Sequence, residues 1–300
     1  MKRKGTGPDG LVIVDKPAGF TSHDVVAKLR RFAGTRRVGH AGTLDPMATG
    51  VLVIGVEKAT RLLGHLALTE KEYAATIRLG QSTVTDDAEG EITASARVDG
   101  LERAAIDAGV AKLTGDIQQV PSKVSAIKID GKRSYSRVRE GEEFEIPARP
   151  VTVSTFDVHE VREAVAADGA RVVDLDVTVV CSSGTYIRAL ARDLGTDLGT
   201  GGHLTALRRT RVGPYGLAGA HSLEELEASL TVLPIADAAA AAFPRWDVSA
   251  EQARLLGNGV RLKGPGLGVE GPVAVFDPDG RFLALIEERD GKAKSLAVFA

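Results

Sequence analysis

Asp45 is the residue whose type and surroundings point most directly to chemistry. It lies in GHAGTLDP, residues 39–46, where glycines let the backbone approach a bound molecule closely and Pro46 restricts the chain beside the carboxylate. On spacing alone, an ordinary Asp-Pro turn is the more frequent explanation of such a segment. A catalytic carboxylate is therefore predicted here only if a second observation supports it.

Signatures of bound cofactors and metals are missing from the sequence. It contains no GxxxxGK[ST], no paired CxxC and no HExxH among its six histidines. The glycines at 264, 266 and 268 lie in a Pro-containing loop that leads to strands, which disfavours a dinucleotide site. Asp86 and Asp87 are candidate Mg²⁺ ligands, but adjacent acids in a Gly-bounded loop are more often a solvated turn. We predict chemistry by side chains alone, with no cofactor and no metal.

Composition indicates a globular cytoplasmic protein. With 300 residues, of which 43% are hydrophobic and 26% charged, the chain can bury a large core, and one large domain plus a small one is expected. Its single cysteine, Cys181, lies in an apolar run and is predicted to be a buried strand residue. The basic N-terminus has no apolar segment behind it, and no apolar stretch is long enough to span a membrane.

Charge is nearly balanced overall but segregated along the chain. The 38 basic and 40 acidic residues give a net charge of -2, which by itself disfavours a dedicated nucleic-acid binder. Basic residues nevertheless cluster at Lys28, Arg30, Arg31, Arg36 and Arg37, at Lys123, Lys128, Lys132, Arg133, Arg137 and Arg139, and at Arg208, Arg209 and Arg211. Any one cluster is explained by solvated surface, whereas three clusters near the other motifs favour a basic face that binds nucleic acid.

Hydrophobic periodicity predicts the elements that position these residues. An apolar helical face follows Ser22, the predicted N-cap, and ends before Gly34, while residues 39–50 are predicted to form a loop. Strands are predicted at 11–17, 51–56, 71–80, 172–181 and 203–212, and helices at 101–114, 185–194 and 222–230. The fold class is α+β, with the Asp45 loop between two strands of a rigid sheet.

The C-terminal part has a different pattern. After Phe243 the sequence predicts a short helix and two or three strands joined by the turns DPDG and RDGK. We therefore divide the chain into a catalytic domain at 1–245 and a small β-rich domain at 247–300. The alanine run at 238–242 is a linker or the end of a helix.

A long segment resembles a known family. Residues 39–62, GHAGTLDPMATGVLVIGVEKATRL, are similar to the catalytic motif of the TruB family of pseudouridine synthases, the bacterial enzymes that modify uridine 55 of tRNA. Five further blocks match in the same order, at 15–22, 71–90, 121–142, 181–195 and 203–215. The resemblance covers about residues 11–216. The chain departs from it at Pro121-Ser122, where the family commonly has two prolines.

The resemblance implies a fold and an activity. The fold would be a mixed, largely antiparallel sheet with flanking helices, with an RNA-binding insertion at about 117–150 and a PUA-like RNA-binding domain at the C-terminus. The activity would be isomerisation of uridine 55 in the T-loop to pseudouridine, without a cofactor. The partner would be the T-stem-loop of tRNA, with no guide RNA, no membrane and no obligate protein partner, so that a cytoplasmic monomer is expected.

The family pattern also implies residue roles. Asp45 would be the catalytic aspartate, Arg188 would pair with it, and Tyr73 would stack on the uracil and help move a proton. Further substrate-binding residues would be His40, which fills the space left by the flipped uridine, Tyr186, which lines the pocket, and Leu207, which contacts the base. Without the resemblance these residues are explained as loop, strand, helix and core positions.

Two further groups follow from the motifs and the basic clusters. The structural motif residues are Lys16, Pro17, Gly39 and Gly42. The predicted RNA-binding residues are Arg30, Arg31, Arg36, Arg37, Lys128, Lys132, Arg133, Arg208 and Arg209.

Several alternatives stay open on sequence alone. The aspartate can attack uracil C6, attack the sugar, or assist elimination to a glycal. Competing functions are a non-catalytic tRNA-binding or folding protein, a guide-RNA-dependent synthase, and an N-glycosidase that releases free uracil.

Overall fold

The computed structural model describes residues 7–123, 128–129, 132–133 and 146–299. The described strands are β1 (Gly10–Lys16), β2 (Val38–Ala41), β3 (Thr49–Val56), β4 (Lys71–Leu79), β5 (Gln81–Thr83), β6 (Ile92–Ser95), β7 (Gly115–Gln119), β8 (Lys128–Ile129), β9 (Lys132–Arg133), β10 (Arg149–Val165), β11 (Arg171–Cys181), β12 (Gly202–Val212), β13 (Tyr215–Gly216), β14 (Leu233–Pro234), β15 (Arg245–Asp247), β16 (Pro272–Phe276), β17 (Phe282–Arg289) and β18 (Lys292–Val298). The described helices are α1 (Ser22–Phe32), α2 (Leu63–Leu66), α3 (Arg103–Lys112), α4 (Ile187–Asp197), α5 (Leu223–Ala228), α6 (Ile235–Ala242) and α7 (Ala250–Gly257), with 3₁₀ turns at Glu57–Arg61 and Leu217–Gly219.

This mixture of helices and strands confirms the predicted α+β class. The chain folds into two units, each of which draws on segments that are distant in the sequence. The first unit consists of residues 1–46, 50–68 and 212–300, and the second of residues 47–49 and 69–211.

In the first unit, β1 pairs antiparallel with β14 on one edge and β3 on the other, and β2 also pairs with β3. Leu11 of β1 and Val53 of β3 belong to an apolar core that also includes Leu62, Ala238 and Phe299. Burial of these side chains is the main force that holds the segments together. Because residues from both ends of the chain share this core, a separately folding domain at 247–300 stays a prediction.

The same unit contains the C-terminal sheet, in the order β15-β16-β17-β18. Strands β16, β17 and β18 pair antiparallel, whereas β15 pairs parallel with β16. A second apolar cluster, which includes Leu256 of α7 and Ile286 of β17, covers this sheet. The predicted short helix is confirmed, and the two or three strands predicted after it are observed as β16, β17 and β18.

In the second unit, the strands follow the order β12-β4-β11-β10-β7. Strands β10 and β11 form a long antiparallel pair, and β4 and β7 extend it on either side. Helices α3 and α4 pack closely, since a Cβ added at Gly109 would lie 2.7 Å from Leu194 Cδ1. Cys181 is buried at the end of β11, as predicted.

Two local predictions need correction. The N-cap of α1 is Thr21 rather than Ser22, because Thr21 Oγ1 accepts from the Asp24 amide while the Asp24 carboxylate accepts from the Thr21 amide. The predicted loop at 39–50 is also shorter, since β2 takes its first residues and β3 its last ones.

Candidate functional site

The chain on the N-terminal side of Asp45 is held by Ser22. The buried Ser22 Oγ accepts from the Leu44 amide at 2.9 Å and lies 3.2 Å from the Leu44 carbonyl oxygen, to which it donates. One hydroxyl therefore engages both backbone groups of the residue before Asp45. This contact explains why a serine follows Thr21 even though Thr21 is the helix cap.

The chain on the C-terminal side of Asp45 is held by Lys16. Its side chain is 0% exposed, and Nζ donates to the carbonyl oxygens of Pro17, Phe20 and Pro46 at 2.9, 2.7 and 3.2 Å. The Gly19 amide donates to the same Pro46 oxygen at 2.8 Å. The DKPAGFTS segment therefore fixes the backbone on both sides of the half-buried Asp45.

The other predicted residues of this unit lie on β2 and just after it. His40 pairs with Ile54 of β3, and its ring meets the ring of the exposed His23 edge to face, with centroids 5.5 Å apart. Gly42 adopts a φ of 80°, which disfavours any residue with a side chain. At Gly39 an added Cβ would lie 3.0 Å from Leu63 Cδ1, so a side chain there would require Leu63 to shift.

The segment between α1 and β2 is fixed by Glu57. This buried residue has a φ of 52°, an unusual conformation for a residue with a side chain. Its carboxylate accepts from Thr35 Oγ1 and lies 3.4 Å from Arg37 Nη1, while its amide donates to the Arg37 carbonyl at 2.8 Å. Arg36 and Arg37 are exposed beside this contact, so two predicted RNA-binding residues lie on a fixed segment.

In the second unit, Arg188 forms a buried ion pair with Asp87. Their side chains are 6% and 2% exposed, and Nη1 lies 3.3 Å from Asp87 Oδ2 and 2.7 Å from the Thr85 carbonyl oxygen. Asp87 Oδ1 also accepts from Thr85 Oγ1 and from the Glu89 amide. The expectation that this acidic pair forms a solvated turn is therefore wrong for Asp87.

Asp86 differs from its neighbour. It has a φ of 60° and pairs at 3.3 Å with Arg192, and the Asp86 and Arg192 side chains are 13% and 27% exposed, so Asp86 is also mostly buried. Backbone contacts from Asp86 and Asp87 to Leu204 tie the acidic loop to β12. No group of three or more metal-ligating side chains is found in the described part of the chain.

Tyr73, Tyr186 and Leu207 come from three different elements of this unit. Tyr73 is buried on β4 opposite Val179, and Leu207 is buried on β12, the strand next to β4. Tyr186 is the N-cap of α4, two residues before Arg188. Its backbone is bound by the side chain of Gln119, the last residue of β7.

The predicted RNA-binding residues after α1 are exposed, but those on β12 and on the β8–β9 hairpin differ from them. Arg209 is 1% exposed, so it is corrected to a core residue that RNA phosphates cannot reach. Its half-buried neighbour Arg208 contacts Thr49 Oγ1 at 3.3 Å. For Lys128, Lys132 and Arg133 the structure describes only the backbone of the β8–β9 hairpin, and their side chains lie outside the described part.

Each unit thus gathers part of the predicted site. The first holds Asp45 and His40, and the second holds Tyr73, Tyr186, Arg188 and Leu207. Pairing of Asp45 with Arg188 would join residues of both units and stays a prediction. None of the described helices is both long and apolar enough to cross a membrane.

Comparison with known proteins identifies the family. A model described as "TruB family pseudouridylate synthase (N terminal domain)" matches residues 30–187, more than half of the chain. The chain belongs to the TruB family of pseudouridine synthases. Two further models from this group, "tRNA pseudouridylate synthase B C-terminal domain" and "tRNA Pseudouridine synthase II, C terminal", match residues 188–238 and 243–300.

Curated relatives agree with the TruB assignment over the whole chain. A protein of Streptomyces griseus named tRNA pseudouridine synthase B is 74% identical over 300 residues, covering 100% of both chains. A protein of the same name from Thermobifida fusca is 62% identical over 97% of this chain and 99% of its own. The TruB-family chain is therefore an isomerase that forms pseudouridine, as predicted.

A solved structure supports the fold. A chain of a Cbf5-Nop10-Gar1 complex superimposes with a TM-score of 0.74 at 25% identity, covering 97% of this chain and 85% of its own. The predicted pseudouridine synthase fold with a TruB-type C-terminal part is confirmed.

Sequence reasoning missed three residues that hold the site. Asp87 lies inside the matched block 71–90 but was judged from local turn chemistry alone. Ser22 was interpreted as a helix cap, and Gln119 was not selected. The partners of Asp87 and Gln119 lie 101 and 67 residues away, so no local spacing reveals them.

Proposed function

We propose that this TruB-family enzyme isomerises uridine 55 in the T-loop of tRNA to pseudouridine, without a guide RNA or a cofactor, and that Asp45 is its catalytic carboxylate. The observation that carries the proposal is the clamped Asp45 loop, in which Ser22 holds Leu44 while Lys16 and Gly19 hold Pro46. The tRNA substrate is supported by the names of relatives that match this chain end to end at up to 74% identity.

Such a clamp suits the reaction. Isomerisation breaks the bond from the sugar C1′ to N1 and forms a bond from C1′ to C5, while hydrogen leaves C5 and N1 gains hydrogen. No atom is lost overall and no electron is transferred, so a positioned acid or base suffices. Asp45 would attack uracil C6, attack the sugar, or assist elimination to a glycal.

Other predicted site residues would hold the flipped base. Tyr73 and Tyr186 would pack against the uracil, and Leu207 would contact its edge, which offsets the cost of about a few kcal/mol for removing a base from its stack. His40 would occupy the space that the uridine leaves. Arg188, held by its ion pair with the buried Asp87, would pair with Asp45.

Affinity for tRNA would come mainly from phosphate contacts. Arg30, Arg31, Arg36 and Arg37 lie on α1 and the fixed segment after it, and Arg208 adds a cation on β12. Further contacts would come from the insertion at about 117–150 and from a PUA-like domain at 247–300. Binding is expected to weaken as salt rises, because phosphate contacts release counterions.

The test uses the purified chain with a T-stem-loop RNA and no added guide or cofactor. Mass spectrometry of the digested RNA reads the modified position, and the supernatant is assayed for free uracil. Pseudouridine at position 55 alone supports the proposal. Release of uracil would indicate an N-glycosidase, activity only with a guide RNA would indicate a guide-dependent enzyme, and tight binding without any product would indicate a binding protein.

A further inference from the structure

Gln119 binds the backbone of Tyr186 with both ends of its carboxamide. Nε2 donates to the Tyr186 carbonyl oxygen at 3.1 Å, and Oε1 accepts from the Tyr186 amide at 2.8 Å. The Gln119 side chain is buried, with 1% of the residue exposed. A planar amide that satisfies the donor and the acceptor of one residue fixes both its position and its orientation.

Tyr186 lies where a helix needs an external partner. It is the N-cap of α4, with an extended backbone at φ -101° and ψ 109° and no capping bond from its own side chain. Tyrosine offers no oxygen within reach of the first-turn amides, unlike the usual capping residues. The start of α4 is therefore held from outside, by the last residue of β7.

Two side chains of the predicted site depend on this helix start. Tyr186 is predicted to line the uridine pocket, and Arg188, two residues later, reaches the Thr85 carbonyl and Asp87. A helix turn moves as a unit because its backbone hydrogen bonds link residues four positions apart, as the Leu190 amide donates to the Tyr186 carbonyl oxygen at 3.2 Å. A displacement of Tyr186 would therefore also displace Arg188.

We infer that Gln119 is a positioning residue, which holds Tyr186 and the start of α4 in the orientation that isomerisation requires. The inference rests on the proposed function, because it is that reaction which needs Tyr186 and Arg188 in place. Gln119 itself need not touch the RNA. Misplacement of a substrate-contacting group by about 1 Å can reduce the rate about 100-fold, so the bond pair has a measurable consequence.

Gln119→Glu offers a test that pH can reverse. An ionised glutamate has no hydrogen to donate and places negative charge against the Tyr186 carbonyl. Its protonated form restores both contacts, because the hydroxyl donates to the carbonyl and the remaining oxygen accepts from the amide. Burial raises the pKa of a carboxyl group, which brings the protonated form into a range where the enzyme can be assayed.

We expect Gln119→Glu to be about 100-fold less active than wild type in mildly alkaline buffer. The ratio of its rate to the wild-type rate should recover at least about 10-fold as the pH falls to about 6. Gln118→Glu is the matched control for the pH dependence, since Gln118 is the exposed neighbour on the same strand. The ratio of its rate to the wild-type rate should not change with pH, whatever the substitution does to RNA affinity. Gln119→Leu, which lacks both contacts, should stay slow at every pH.

A readout without RNA separates this inference from the proposed function. Amide hydrogen exchange of the segment that contains Tyr186 should be faster in Gln119→Leu than in wild type or Gln118→Glu. Equal exchange, or a Gln119→Glu rate ratio that does not change with pH, would overturn the positioning role. If wild type exchanges slowly but forms no pseudouridine, the proposed function fails, and the catalytic purpose of Gln119 fails with it.

Discussion

The loop around Asp45 and the helix start around Arg188 are fixed in different ways. On either side of Asp45, Leu44 and Pro46 are held by a hydroxyl, an amide and an ammonium group that bind backbone atoms. Arg188 is instead held by contacts that include the buried Asp87 carboxylate and the Thr85 carbonyl oxygen. The first arrangement fixes the position of the backbone, whereas the second fixes the position of a charged side chain. Removing a partner should therefore reduce stability in the first case and catalytic rate in the second.

Lys16→Met should have the largest effect on stability. It removes a fully buried donor from the carbonyl oxygens of Pro17 and Phe20, while the Pro46 oxygen keeps the Gly19 amide, and each group left unsatisfied costs about 1–3 kcal/mol. We expect the free energy of unfolding in urea to fall by about 3–5 kcal/mol. Lys58→Met is the matched control, because the exposed Lys58 donates to the Phe299 carbonyl, its one side-chain hydrogen bond among the described residues, and its loss should cost about 1 kcal/mol or less. Equal losses would contradict the importance of the Lys16 contacts.

Asp87→Asn should reduce the catalytic rate more than it disturbs the local backbone conformation. It leaves the Arg188 guanidinium buried beside a neutral amide, and we expect kcat to fall by about 10- to 100-fold, which corresponds to about 1.4–2.7 kcal/mol. Single-turnover rates on a T-stem-loop RNA measure this effect.

Asp86→Asn provides the comparison, since Arg192 is more exposed than Arg188 and asparagine tolerates the φ of 60°. Its rate should stay within about fivefold of wild type. If the two variants lose the same activity, the distinction between the fully buried and the partly buried ion pair is wrong.

Lys71 is a third buried charged residue, and its effect on stability should depend on pH. This buried lysine on β4 donates to the Thr69 carbonyl at 2.7 Å, and burial, together with the charge of Arg209, lowers its pKa from 10.5 to about 8. Between these values the unfolded chain holds a proton that the folded chain has lost, so stability rises with pH. Relative to Lys71→Met, wild type should gain about 1–3 kcal/mol from pH 8 to 10.5, measured by urea unfolding.

The control for this pH effect is Lys112→Met, because Lys112 forms an exposed ion pair with Asp197. Replacing this exposed lysine should cost no more than about 1 kcal/mol, so it reports the loss of a lysine side chain outside the core. If the difference in unfolding free energy between wild type and Lys71→Met does not change with pH, the Lys71 ammonium is stabilised as well in the folded protein as in water.

Arg36→Gln should have the smallest effect. Arg36 is an exposed cation on the segment fixed by Glu57, and it is expected to contact one phosphate. Its loss should weaken T-stem-loop binding by about twofold to tenfold. The slope of the logarithm of the binding constant against the logarithm of the salt concentration should become smaller by about 1. Fluorescence anisotropy over a range of salt concentrations measures both quantities. Arg97→Gln, at an exposed arginine outside the predicted basic clusters, should leave both unchanged.

The sequence predicted a region well where the contacting residues lie close together along the chain, and poorly where they lie far apart. The Asp45 loop was recognised because its contacts lie in two compact segments, 15–22 and 39–62, that carry the family motif. Most elements also followed from local periodicity, as in α1 and β1.

Prediction failed where burial depends on distant partners. Arg209 resembled a surface cation but is buried, and Asp87 resembled a turn residue but pairs with Arg188, which lies 101 positions away in the sequence. The 17-residue strand β10 was missed in the same way, because its pairing with β11 and β7 stabilises a segment with many exposed charges.

The measurement that tests the central claim most directly is release of tritium from a T-stem-loop RNA labelled at C5 of uridine 55, compared between wild type and Asp45→Asn. Joining C1′ to C5 displaces the C5 hydrogen, so each isomerisation releases one label. We predict stoichiometric release by wild type without a guide or cofactor, and no release by Asp45→Asn at equal RNA binding. Release by Asp45→Asn at the wild-type rate, or none by the wild type, would contradict the assignment of Asp45 as the catalytic carboxylate of an autonomous enzyme.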